Sequence, residues 1–257
     1  VRAVIEQHIA DRVRVDAFPR SAKYDPQWQL DNMMGPNALW LAESLSGLLR
    51  WEPGMRVLDL GCGRAMTSVF LAREFGLRVW AADLWVPPTE NWERVREAGL
   101  ADSVYPVHVE AHDMPFPHGF FDAIVSLDSY HYFGTDDLYL EYLLRFLRPG
   151  GQLGIVVPGL TEELSEVPEW LEPHFEPEFW SFHSPEWWRR HWSRWGTVDV
   201  HVADMLPDGW RHWLHWAEVC VEAQAGPRPD LTEREVPLLR ADAGRTLGFA
   251  RVVATKR

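Results

Sequence analysis

The sequence predicts an α/β fold: a seven-stranded, mainly parallel sheet with helices on both faces. Three observations carry that expectation. From Met55 to Val157 short β-rich apolar runs alternate with helical stretches, which is the rhythm of β-α crossovers. Two further runs with strand character follow, at Thr197 to Val202 and at Leu247 to Thr255. A strand also leads directly into a glycine turn and a helix at Val57-Leu58-Asp59-Leu60-Gly61-Cys62-Gly63.

Within the first stretch the strands are expected at Met55 to Leu60, Leu77 to Asp83, Val104 to Val109, Phe121 to Leu127 and Gln152 to Val157. Helices are expected at Arg64 to Phe75, Glu90 to Ala98 and Asp136 to Leu147, the last capped by Thr135 and closed by Pro149-Gly150-Gly151. Upstream, Leu39, Ala42, Leu45 and Leu49 recur at helical spacing after Pro36, a residue suited to a first turn. Before them, Ala22 to Met34 mixes aromatics, methionines and carboxylates without a period and reads as a lid. Downstream, Pro158 to His183 is a long connection rich in proline, glutamate and aromatics. Ser184-Pro185-Glu186 opens a helix to about Trp195, Gly209 to Ala223 is helical again, and Thr232 with Glu235 forms a capping box for a helix to about Ala243. Three regions result: a helical lid at 1–50, a core at 51–157, and a remainder at 158–257. The remainder completes the sheet and carries an aromatic-rich cap at about 158–183 and 207–245.

Composition narrows the function. With 46% hydrophobic and 25% charged residues in 257, the chain is an ordinary globular one, which excludes disorder and collagen-like fibres. Acidic residues outnumber basic ones by 38 to 25, and a formal charge of -13 repels phosphate backbones and anionic lipid, so neither nucleic acid nor membrane is an expected partner. Two cysteines, Cys62 and Cys220, imply no disulfide framework. A charged N-terminal stretch and the lack of any long uncharged apolar run predict a cytoplasmic chain without signal peptide or membrane span.

A lone G-x-G after a strand serves dinucleotide sites and plain turns alike. Here Asp59 would repel a pyrophosphate while suiting the ammonium of an amino-acid ligand, and Met66 replaces the third glycine of the dinucleotide fingerprint. Asp59-Leu60-Gly61-Cys62-Gly63 resembles the D-x-G-x-G first motif of the class I S-adenosylmethionine-dependent methyltransferases, and the resemblance runs in order over residues 55 to 157. It implies a Rossmann-like core, S-adenosylmethionine as cofactor and the homocysteine analogue as product. Asp83, twenty residues after Gly63, matches the acid that accepts hydrogen bonds from both ribose hydroxyls. In His112-Asp113-Met114, Asp113 matches the acid on the adenine amino group, beside a ring-packing apolar residue; Leu84 takes a similar packing role. Phe121 to Ser126 and Leu147 to Gly151 match the fourth strand and the turn before the fifth. Asp83 and Asp113 also read as loop acids capping helices, and Cys62 as a small filler of the turn.

Transfer from a sulfonium needs alignment more than acid or base, so catalytic groups are few and are sought at the carboxyl ends of the strands. After the fourth strand the same resemblance, in which small-molecule members carry a histidine here, implies His131 as the first candidate for a base or acceptor-orienting group, with Asp128 shaping the mouth; equally, the two would bond to each other and hold a turn. Tyr24 is placed over the methionine end of the cofactor, or else on the first helix. Trp28, Met34, Tyr130, Tyr132, Trp180 and Trp213 are the expected acceptor walls, and no metal is expected despite the histidines of the tail. The base-methylating pattern of two prolines and an aromatic is missing after the fourth strand; Pro87-Pro88 follows the second.

The expected activity is methyl transfer to oxygen or nitrogen of a small, aromatic or amine-bearing metabolite, by a monomer or homodimer. The alternatives are a protein or peptide methyltransferase and an S-adenosylmethionine-binding protein without transfer; a nicotinamide oxidoreductase is opposed by Asp59 and Met66.

Overall fold

The computed structural model describes residues 5–227 and 229–257. Its strands are β1 (Arg56–Leu60), β2 (Arg78–Asp83), β3 (Val104–His108), β4 (Phe121–Leu127), β5 (Leu147–Leu160), β6 (Val198–Met205) and β7 (Leu247–Lys256). They form one sheet in the order β3-β2-β1-β4-β5-β7-β6, in which β7 runs antiparallel to both its neighbours and all other pairings are parallel. The order reverses between β1 and β4, so a crevice opens at the carboxyl ends of β1, β2 and β4, where open α/β sheets bind ligands.

The helices are α1 (Gln7–Val13), α2 (Pro26–Asn32), α3 (Ala38–Ser46), α4 (Met66–Phe75), α5 (Pro88–Glu97), α6 (Tyr139–Leu144), α7 (Pro185–Ser193), α8 (Gly209–Ala223) and α9 (Pro229–Asp242). β1 lies inside the sheet between β2 and β4 and is buried from Val57 to Leu60, which explains why it is apolar apart from Asp59. Side chains of α3 and α4 build the core on one face of the sheet, and α6 and α7 with Tyr130, Trp188 and Trp192 build it on the other. A third cluster joins α1 and Trp40 to Trp216 and Cys220 of α8, so the N-terminal segment and the insertion between β6 and β7 pack together. Asn37 caps α3 by accepting from the N–H groups of Leu39 and Trp40, and Ser184 caps α7 by accepting from that of Trp187.

Two expected helix starts are corrected. Thr135 caps nothing: α6 begins at Tyr139, its approach shaped by Asp136 accepting from the N–H of Leu138, and it ends at Leu144 because β5 pairs from Leu147. Thr232 is no N-cap either, since α9 already starts at Pro229, a residue suited to a first turn. β5 continues past Val157 to Leu160 because its pairing with β7 runs on to Leu247.

Candidate functional site

A cavity of about 370 Å³ lies at the switch point, lined by the glycine turn, the ends of β2 and β4, the segment after β3, residues of the lid and Trp216. Its volume is within the roughly 300–1,000 Å³ of small-molecule sites.

The turn after β1 is rigid. Gly61 and Gly63 stand at φ +76° and +52°, in the left-handed region that glycine occupies without strain. The N–H groups of Gly61 and Cys62 donate to the carbonyl of Ala82, and that of Gly63 donates to Oδ2 of Asp83 at 2.7 Å. The other Asp83 oxygen accepts from the N–H groups of Trp85 and Val86. Three of roughly four acceptor positions are thus engaged, and one remains for a ligand hydroxyl. Asp83 lines the cavity, with Leu84 and the largely exposed Trp85 beside it.

Asp59 is placed differently from the expectation of an ammonium contact. It does not line the cavity; it is buried beneath the turn, where Oδ2 accepts from the hydroxyl of Ser68 at 2.6 Å and Oδ1 has no partner. Burial, reinforced by the charge of Asp83 and opposed by Ser68, pushes its carboxyl up to about 7. Cys62 lines the cavity but is a buried thiol pushed upward by desolvation and by Asp59 and Asp83, the opposite of an activated nucleophile.

After β3 the backbone N–H of Asp113 returns to the carbonyl of Glu110, and that of Met114 donates to the Tyr142 hydroxyl, which draws Met114 into the core. Asp113 and Met114 are therefore outside the cavity lining, contrary to expectation, whereas Glu110, Ala111 and His112 form part of it. The Glu110 carboxylate is held below its ordinary range by its bond to His112.

At the end of β4, Ser126 is buried and donates to the carbonyl of Leu60, so it supports the turn and does not line the cavity; Ser129 does. Asp128 lines the cavity from a left-handed conformation at φ +52°. His131 is buried, makes no bond to Asp128, and has an unpartnered Nδ1. Desolvation drives its imidazole down to about 3. It does not line the cavity; its ring packs between Tyr132 and Phe182.

Of the expected acceptor walls, Met34 and Tyr132 line the cavity. Tyr24 does not: its hydroxyl meets Glu74 in the last turn of α4, some ~12 Å along the helix from the glycine turn. Trp28 packs on Tyr24, Tyr130 is core against Trp188 and Trp192, Trp180 is exposed against Phe175, and Trp213 packs on Phe249. Trp216, whose helix reads from sequence mainly as core and interface packing, lines the cavity and donates from Nε1 to the carbonyl of Gly35 at 2.9 Å. Glu110 had a legible signal, an acid just past a strand end as Asp83 is; Trp216 had none, because its place depends on how α8 docks. Among the described residues no three His, Cys, Asp or Glu side chains converge as a metal site, and no helix is long and apolar enough to cross a membrane.

Comparison with known proteins agrees with this geometry. Residues 57–151 match the family described as "Methyltransferase domain". The chain is 30% identical over 159 residues to methyltransferase GfsG of Streptomyces halstedii, covering 60% of this chain and 55% of that one. It is 30% identical over 169 residues to the ubiquinone/menaquinone biosynthesis C-methyltransferase UbiE of Methylococcus capsulatus, covering 65% of each. The chain thus spans between about half and two thirds of the length of these relatives. Phosphoethanolamine N-methyltransferase 2 of Haemonchus contortus, solved with S-adenosyl-L-methionine, shares the fold at a TM-score of 0.72 and 19% identity, over 98% of this chain and 60% of that one.

Proposed function

We propose that the chain, whose residues 57–151 match a methyltransferase domain, is a class I, S-adenosylmethionine-dependent enzyme that transfers a methyl group to oxygen or nitrogen of a small metabolite held in the cavity. The observation that carries this reading is the double character of that cavity. Its lining brings two carboxylates, Asp83 and Glu110, and the apolar Leu84 and Trp85 together with Asp128 and Tyr132, the ring of Tyr132 lying 6.1 Å from that of Trp85. Asp83, Glu110, Leu84 and Trp85 suit a nucleoside: Asp83 keeps acceptor capacity for one ribose hydroxyl, Glu110 accepts from an adenine amine, and Leu84 and Trp85 offer apolar surface to the ring. Glu110 thereby takes the role the sequence suggested for Asp113.

When bound, S-adenosylmethionine supplies a methyl on a sulfonium, whose carbon–sulfur bond electrons return to sulfur as the acceptor's lone pair bonds to the carbon. The protein's share is alignment. The Gly61–Gly63 turn lets backbone approach the ligand, and Asp83 fixes the turn from below. Asp128, Tyr132 and Trp216 place the acceptor, and the lid residues around Gly35 exclude water.

The test is direct. Purified protein incubated with methyl-labelled S-adenosylmethionine and a panel of small amines, phenols and carboxylates should form S-adenosylhomocysteine with label in an acceptor. Binding of S-adenosylhomocysteine without turnover on any acceptor would favour a binding protein instead, and a calorimetric signal with NADH but none with S-adenosylhomocysteine would end the reading.

A further inference from the structure

The rim of the cavity differs from the rest of the surface. Ten large apolar side chains stand exposed among the described residues, and four of them, Met34, Leu84, Trp85 and Tyr132, line this one cavity. Trp85 is 72% exposed and Tyr132 56%, and their rings are neighbours. Apolar residues scattered singly over a surface are ordinary, but a cluster continuous with a binding cavity marks surface kept for a ligand. The lid carries the apolar wall inward. Sδ of Met34 lies 3.0 Å from where a Cβ on Gly63 would stand, so the thioether roofs the glycine turn, and Met33, Pro36, Phe133 and Trp216 line the same space. A flexible thioether adapts to apolar bodies of irregular shape.

One polar group interrupts these walls. Asp128 lines the cavity, and its side chain makes no hydrogen bond or ion pair with the described residues. It leaves β4 at φ +52°, a left-handed conformation that residues with a side chain rarely adopt and that persists where the surroundings enforce it. Gly35 makes the room, since a Cβ there would stand 2.7 Å from Oδ2 of Asp128. The carbonyl of Gly35 accepts from Nε1 of Trp216, which fixes the lid at that point. A carboxyl group among apolar walls is costly unless a donor reaches it. Nothing among the described residues supplies one; a ligand would. An anionic ligand is disfavoured: Asp83, Glu110 and Asp128 all line the cavity, against the guanidinium of Arg64, which donates to the carbonyl of Asp31.

Size directs the ligand outward. At about 370 Å³ the cavity is near the lower end of small-molecule sites, and on the methyltransferase reading it holds a nucleoside as well as the acceptor. An acceptor with its donor at Asp128 therefore leaves through the mouth, where Met34 and Tyr132 stand.

We propose that the acceptor is a compound with an apolar alkyl or aryl body and an O–H or N–H group that donates to Asp128, the body passing out over Met34 and Tyr132, which makes Tyr132 a specificity-determining residue. This inference rests on the methyltransferase reading and names the chemical class of its acceptor. Tyr132 supplies an aromatic face for the body to cover, Asp128 orients the donor, and Gly35 keeps the space between lid and carboxyl group open.

The test is calorimetry on the full chain in two steps, S-adenosylhomocysteine to saturation, then 1-butanol, 1-hexanol, 1-octanol or octanoate into the complex. Each added methylene should tighten alkanol binding by about threefold as it leaves water for the apolar wall. Octanoate, of the same length but anionic, should bind at least about tenfold more weakly than 1-octanol. Tyr132→Ala should weaken 1-octanol by about tenfold while leaving 1-butanol and S-adenosylhomocysteine nearly unchanged, and Tyr132→Phe, which keeps the ring, should retain 1-octanol affinity. Equal affinity across the three alkanols, binding of none of them, octanoate as tight as 1-octanol, or undiminished 1-octanol affinity in Tyr132→Ala overturns the proposal and leaves the methyltransferase reading standing. The wild-type comparison of chain lengths and head groups needs no variant, so it decides even where Tyr132→Ala misfolds. Failure of S-adenosylhomocysteine to bind removes the reading and this inference together.

Discussion

Oδ2 of Asp83 accepts the backbone N–H of Gly63 at 2.7 Å, so the end of β2 and the turn after β1 form a single unit. The same carboxylate that suits a ribose also holds the turn against which the ligand would lie. Asp83→Ala removes this bond and those to Trp85 and Val86. Affinity for S-adenosylhomocysteine should fall by ~2 kcal/mol, with a lower melting temperature, since charge-assisted bonds are lost and three backbone N–H groups lose their acceptor. Calorimetry and a thermal melt check both; unchanged affinity would remove Asp83 from the cofactor side.

Gly61→Ala tests the turn itself. At φ +76° a side chain is strained, and the added Cβ would stand 2.1 Å from Oγ of Ser129. A loss of about 2 kcal/mol in denaturant unfolding is expected from the combined conformational and steric cost. Adding Ser129→Ala should relieve part of it; no relief would mean that the clash is not the cause.

Burial holds the His131 imidazole neutral, with its pKa down at about 3. The unfolded state takes up the proton near its ordinary value, so this group's contribution to stability rises from about pH 3 to about 6.5 and is complete above that. Its ring proton resonances should stay flat between pH 5 and 8, whereas a transition near 6.5 would show the ring to be solvated. His131→Ala should act only through the cavity-lining ring of Tyr132 it packs against, lowering turnover while leaving S-adenosylhomocysteine affinity nearly intact. Full activity would reduce His131 to scaffold.

Asp59 has the opposite sign. Its carboxyl is raised to about 7 by burial, so the folded state holds a proton that the unfolded state has released above about 4. Its contribution to stability is full below that value and is lost as pH rises to about 7. Asp59→Asn should flatten the melting-temperature profile between pH 4 and 7. A wild-type profile reproduced by the variant would show that Asp59 does not titrate in this window.

How much was legible differs from residue to residue, and burial explains the difference. Every strand was foreseen, because apolar alternation and turn residues are local signals and the central strands are buried on both faces. The glycine turn and Asp83 were readable for a similar reason: both lie within a few residues of a strand end. The error at Asp113 came from a short reversal, the Glu110–Asp113 bridge, which turns one acid toward the cavity and the next away with no change in sequence character. Tyr24, Trp28, Tyr130, Trp180 and Trp213 were foreseen as walls because they are aromatic, yet aromatic residues serve core, surface and pocket alike.

The sequence by itself determined the α/β architecture and the position of the glycine turn, because these depend on contacts between near neighbours along the chain, while the expected cofactor followed from the resemblance its motifs carry. Only the tertiary structure decided which acids and rings face the cavity. Asp128 just past β4, Trp216 in α8 and Gly35 in the lid meet there, Trp216 and Gly35 across 181 residues of sequence, through the packing of the cap on the N-terminal segment. Long-range packing leaves no periodic trace in the chain, and it sets both the desolvation and the company of each carboxyl group.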